Sequence, residues 1–171
     1  MNELQAKIYQ IIIGMVSIEN FASLYEESAD VRYGFMNYVA KYSLAKDIYL
    51  CTEKAFQRIK QKDLFEESKL LRNRKSGNKF TYEHPIPSNL ISKEIVKNRI
   101  DHDLVKKILT WTDRIVIITE EEDSMLRKCK LISNMPIGWR FFEGNIFARY
   151  HVAGIMDNDF REVTMKGAIS R

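Results

Sequence analysis

The stretch RIVIITEEE, Arg114 to Glu122, limits the choice of fold more than any other part of the chain. Ile115, Val116, Ile117 and Ile118 are four consecutive β-branched residues. Such side chains are stiff at χ1 and pack well on a pleated surface, and the run is too short for a confident helix. It predicts a buried strand over about residues 114–118. Thr119 and Glu122 stand at the spacing of a capping box: the threonine hydroxyl accepts the N3 amide proton and the glutamate returns to the cap amide. A helix is therefore expected from Glu120 to about Lys130, following the strand without a loop. Glu120, Glu121, Glu122 and Asp123 fill its first turn, and Arg127, Lys128 and Lys130 lie at its end. That charge order complements the helix dipole with no ligand required.

The rest of the sequence is mainly helical in pattern. Residues 2–61 read as helix almost throughout, with a break near Gly14–Ser17, where Ser17 can cap a helix through Phe21 and Leu24. From Val31, the apolar positions Phe35, Tyr38, Val39, Tyr42, Ala45, Tyr49, Ala55, Phe56 and Ile59 fall at spacings of three and four. They predict one long helix or two nearly continuous ones, with Cys51 packed inside a helix and the aromatic stripe in the core. KFTYE, Lys79 to Glu83, reads as a strand. Ser88 begins a helix carrying Leu90, Ile91, Ile95 and Val96, and Asp101 caps another carrying Leu104, Val105, Ile108 and Leu109. NMPIGWRFFEGN is a turn-rich aromatic segment, IFARYHVAGI suits a strand or a short helix, and the tail after Asp157 carries no clear signal. The expected fold is a single α+β domain over residues 1–171, mostly helical. A helical support region (1–68) packs on a small sheet, residues 69–130 form a strand-strand-helix core, and 131–171 form an aromatic C-terminal segment.

Composition narrows the class further. With 45% hydrophobic and 29% charged residues and only three prolines, the chain is globular rather than low-complexity or disordered. The longest apolar stretch, Ile11 to Val16, is far shorter than the ~20 residues that span a bilayer, and the start lacks the pattern of a signal peptide. The expected setting is cytoplasmic, with no membrane partner. Cys51 and Cys129 belong to no C-x-x-C pair, so neither a zinc knuckle nor a disulfide framework follows from them. No phosphate-cradling glycine loop, dinucleotide fingerprint, nucleophile elbow or His-Glu-x-x-His site is present, which takes most of the support from ATP use, dinucleotide redox chemistry and the familiar hydrolases.

Chemistry concentrates at FTYEHPIP, where Glu83 and His84 stand together at the end of a strand. A carboxylate can hold a divalent cation while an imidazole takes a proton from water, which together serve phosphodiester hydrolysis. The plain alternative is a strand-end carboxylate beside a histidine hydrogen-bonded in a turn. Just before this strand, KLLRNRKSGNK places Lys69, Arg72, Arg74, Lys75 and Lys79 in a stretch with no acidic residue, suited either to phosphate contact or to plain solvation. The net charge of +4 does not decide between these, because the distribution of charge matters more than its sum. Asp101-His102-Asp103 repeats the acid-histidine theme at a helix start, where capping explains it, and His151 is a lone histidine.

FTYEHPIP, then RIVIIT, then the helix opening EEEDSMLRK, resembles the strand-strand-helix order of HNH, or ββα-metal, endonucleases over residues 80–130. The resemblance implies a metal-dependent nucleic-acid endonuclease, of the kind used in restriction or defence, with DNA as the expected substrate and Mg²⁺ or Mn²⁺ as cofactor. It makes His84 the general base and Glu83 a metal ligand, with Asp123, and Glu122 after it, as the ligand from the helix. This sequence lacks the family's asparagine or histidine in the middle element, since no asparagine lies between Arg99 and Ser133, and two helices fill what is often a compact loop. A non-enzymatic module holding nucleic acid, a protein partner or a second copy of the chain is the competing expectation.

Overall fold

A computed structural model describes residues 1–61, 80–156, 158 and 160–164. Eight helices and four strands are present among them, in an α+β arrangement that is mostly helical. The chain divides into two compact units: residues 1–46 with 87–113, and residues 47–86 with 114–171.

The first unit is wholly helical. Helix α1 (Glu3–Val16) begins with an Asn2–Gln5 capping box, and α3 (Ala29–Leu44) is capped by the Ser28 side chain, which accepts from the Val31 amide. Between them lies α2 (Phe21–Glu27). The ring of Phe35 meets Phe21 edge-on at 5.1 Å and Tyr25 at 5.9 Å, all three rings buried. Part of the aromatic stripe is thus core. Two amphipathic helices, α5 (Ser88–Lys97) and α6 (His102–Trp111), complete the unit, burying Ile91, Ile95, Val105, Ile108 and Leu109. Asp101 caps α6 by accepting from the Leu104 amide, the role expected of it. One ion pair closes this unit: Lys46 Nζ lies 2.7 Å from Asp113 Oδ2, which also accepts from the Gln5 amide at 3.0 Å.

The second unit holds the sheet, in the order β2-β3-β1-β4. Strand β3 (Val116–Thr119) is buried at every position, as its β-branched run demands. It pairs antiparallel with β2 (Phe80–Glu83), setting Phe80 opposite Thr119 and Glu83 opposite Val116. On its other side it pairs parallel with β1 (Ile48–Thr52). Beyond β1 lies the antiparallel strand β4 (Phe160–Thr164).

β1 corrects the expectation of continuous helix. Tyr49 and Cys51 are buried there at a strand's spacing of two, so Cys51 sits in a strand rather than a helix. Tyr49 stands four residues from Ala45, a spacing that suits a helix and a strand alike, and backbone pairing on both sides of β1 decides for the strand. Helix begins again at α4 (Glu53–Gln61).

Candidate functional site

Helix α7 (Glu120–Lys128) follows β3 directly, with Thr119 serving as both last strand residue and N-cap. The capping box closes as its sequence predicts, and it takes up one carboxylate oxygen of Glu122. The Oε2 atom of Glu122 accepts from the Thr119 amide (2.9 Å), the Thr119 hydroxyl (3.1 Å) and the Thr52 hydroxyl (2.8 Å). Glu122 is 3% exposed, so a buried carboxylate is satisfied by fixed donors, as burial of such a group requires.

One residue further on, Asp123 is also buried, but only half committed. Its Oδ2 accepts from Arg127 Nε at 2.9 Å, one helical turn away, while Oδ1 is buried without a hydrogen-bond partner. The first turn of α7 therefore separates its two buried acids: Glu122 ties helix to strand, and Asp123 retains an acceptor.

Glu83 ends β2 opposite Val116. Its Oε2 accepts from Arg149, on the short helix α8 (Ala148–Val152), and its Oε1 makes no hydrogen bond to the described residues. Burial pushes the Glu83 carboxyl above the ordinary carboxylate range; Arg149 pulls against this, and the negative charge of Asp123 adds to the rise. His84 follows, half-buried, with Nε2 shielded from solvent.

Arg149 is the residue that sequence reasoning missed. It is fully buried, and its guanidinium donates to the carbonyls of Pro85 (2.8 Å), Leu131 (2.8 Å), Ile132 (3.2 Å) and His84 as well as to Glu83. A guanidinium carries five N–H donors, and here each has an acceptor. A signal was present: one arginine inside the apolar-aromatic run IFARYHVAGI must find a counter-ion if that run is buried. The neighbouring Tyr150 is buried too, and its ring lies 5.3 Å from the guanidinium carbon.

The expected residues are only partly gathered. Glu83 and His84 lie at the Val116 end of the β2–β3 pair, Asp123 lies in the first turn of α7, which leaves from Thr119 opposite Phe80, and Glu122 gives one oxygen to the cap. Lys69, Arg72, Arg74, Lys75 and Lys79 lie outside the described residues. Among the described residues, no three His, Cys, Asp or Glu side chains are grouped so as to hold a metal by themselves. A hard dication such as Mg²⁺ is commonly held by about one or two carboxylates, with water and substrate phosphate completing its octahedron. Glu83 and Asp123 are two carboxylates, whose oxygen chemistry is of the kind that Mg²⁺ or Mn²⁺ takes.

The turn-rich segment after α7 is organised around its aromatic residues. Trp139 Nε1 donates to the Asn145 carbonyl at 2.9 Å, and Trp139 meets Phe141 edge-on at 5.0 Å. A Cβ at Gly144 would stand 2.3 Å from the Trp139 indole, so this close approach requires glycine.

The sequence matches no protein-family model, and the chain has no significant match among curated proteins or solved structures. Among the described residues, no single helix is long and apolar enough to cross a membrane.

Proposed function

We propose that this protein is a metal-dependent nucleic-acid endonuclease of HNH-like type, acting on DNA in restriction or defence. One observation supports the reading: the antiparallel β2–β3 pair is followed directly by α7, with Glu83 at the end of β2 and Asp123 in the first turn of α7, where its Oδ1 is buried without a hydrogen-bond partner. In this reading Glu83 and Asp123 hold Mg²⁺ or Mn²⁺, which, when bound, stabilises charge on the phosphate and leaving oxygen. His84 takes the proton from the attacking water, and the basic residues Lys69, Arg72, Arg74, Lys75 and Lys79 hold the backbone of the nucleic acid.

Supercoiled plasmid and a single-stranded RNA, incubated with Mg²⁺, with Mn²⁺ or with EDTA, test this directly. The expected result is nicking of DNA that EDTA stops and that His84→Ala lowers by about 10²–10⁴-fold while remaining folded. A purified, folded wild type that cuts neither substrate in either metal overturns the reading.

A second reading draws on the bond from Arg149 to Glu83, which gives that carboxylate a structural use. On this view the same face binds nucleic acid, or a protein partner or second copy, without cutting. Retention of DNA in a gel shift, with no cleavage, would favour it.

A further inference from the structure

Arg149 stands outside every role the nuclease reading assigns, yet it makes more bonds to the Glu83–Pro85 segment than any other side chain described there. Two of its donors go to the carbonyls of His84 and Pro85 and a third to the Glu83 carboxylate; the remaining two reach Leu131 and Ile132, just beyond α7. The guanidinium thus ties the end of β2 to the chain that leaves α7, the helix carrying Asp123. Nothing nearer in sequence does this, since Arg149 lies 64 residues from Pro85. Its side chain is 0% exposed, so these bonds do not compete with bulk water.

We propose that Arg149 is the positioning residue of the site: by holding the carbonyls of His84 and Pro85 and the carboxylate of Glu83, it sets the backbone on which the His84 imidazole stands. It touches no substrate and acts through the strand end. Lysine cannot replace it, because a single ammonium lacks the planar fork that reaches two backbone segments at once. Glu83 then has two duties on its two oxygens, one as counter-ion to Arg149 through Oε2 and one toward the metal through Oε1. Only the activity arm of the test rests on the nuclease reading.

The first measurement uses the unaltered protein. Solution NMR should show the Arg149 Nε proton protected from exchange, with a through-hydrogen-bond coupling to the Pro85 carbonyl carbon. An Nε proton exchanging as fast as that of an exposed arginine overturns the proposal. The second compares imidazole resonances. The chain has three histidines, so His84→Gln assigns the His84 signals. In Arg149→Lys the His84 resonances should move while those of His102 stay. Unmoved His84 signals in a folded Arg149→Lys also overturn the proposal, and if that variant does not fold, the exchange measurement decides. If wild type cleaves DNA, Arg149→Lys should lower kcat by about 100-fold with KM little changed. Full cleavage in Arg149→Lys counts against positioning. A wild type that cuts nothing sinks the nuclease reading and leaves the NMR result to judge Arg149.

Discussion

Each unit holds an acid paired with a base, and the two pairs are built differently. In the helical unit, Lys46 reaches Asp113 while keeping 29% of its side chain exposed, and it donates twice to one residue, to the carboxylate and to the Asp113 carbonyl. In the sheet unit, Arg149 is wholly enclosed and holds four carbonyls and a carboxylate. A half-solvated ammonium can return to water when its partner is lost. A sealed guanidinium cannot, and the carbonyls it serves lose their donors with it. The first pair fastens two chain ends; the second shapes a surface that carries candidate chemistry.

The sharpest way to break the comparison is to remove the enclosed base. Arg149→Met should cost about 3–5 kcal/mol in urea unfolding, the range for losing one partner of a buried pair. A cost under about 1 kcal/mol would mean that the two pairs are equivalent after all. Asp113→Ala comes next, at about 1–3 kcal/mol, because the Gln5 amide loses a buried acceptor while Lys46 turns to solvent. A cost above that of Arg149→Met would reverse the order of the pairs.

The smallest effect is a dependence on pH. Folding raises the proton affinity of Glu83 above that of the unfolded chain, so the folded state takes up the proton more readily. Its contribution is therefore fully present below the ordinary carboxylate pKa and is lost as pH rises through the raised value. The stability of wild type minus that of the non-titrating Glu83→Gln should fall as pH climbs through this window. A difference that grows instead would mean that Arg149 outweighs burial.

These two regions also separate what the sequence could and could not tell. Local devices were legible: the Asp101 cap, the capping box from Thr119 to Glu122, and the β-branched strand all act within a few residues. Strand β1 was not, because Tyr49 stands four residues from Ala45, a spacing that fits both periods, and only pairing with distant β3 and β4 chooses between them. β4 itself, with an irregular pattern of burial, gave no signal. At the site, Glu83 and His84 could be picked out as neighbours and Asp123 as an acid of the following helix. Which acid of that turn is spent on capping, and which arginine meets Glu83, depends on contacts far apart in the chain.

In the proposed nuclease, Glu83 and Asp123 together form a site for a cation and a phosphate. Calorimetry of Mn²⁺ binding, with and without a non-cleavable DNA duplex, on wild type, Asp123→Asn and Glu83→Gln, tests this most directly. The account predicts Mn²⁺ binding that is weak alone, strengthened by duplex, and lost in Asp123→Asn, with Glu83→Gln weakened. Duplex-dependent binding that survives Asp123→Asn unchanged, or no Mn²⁺ binding with duplex present, would contradict it.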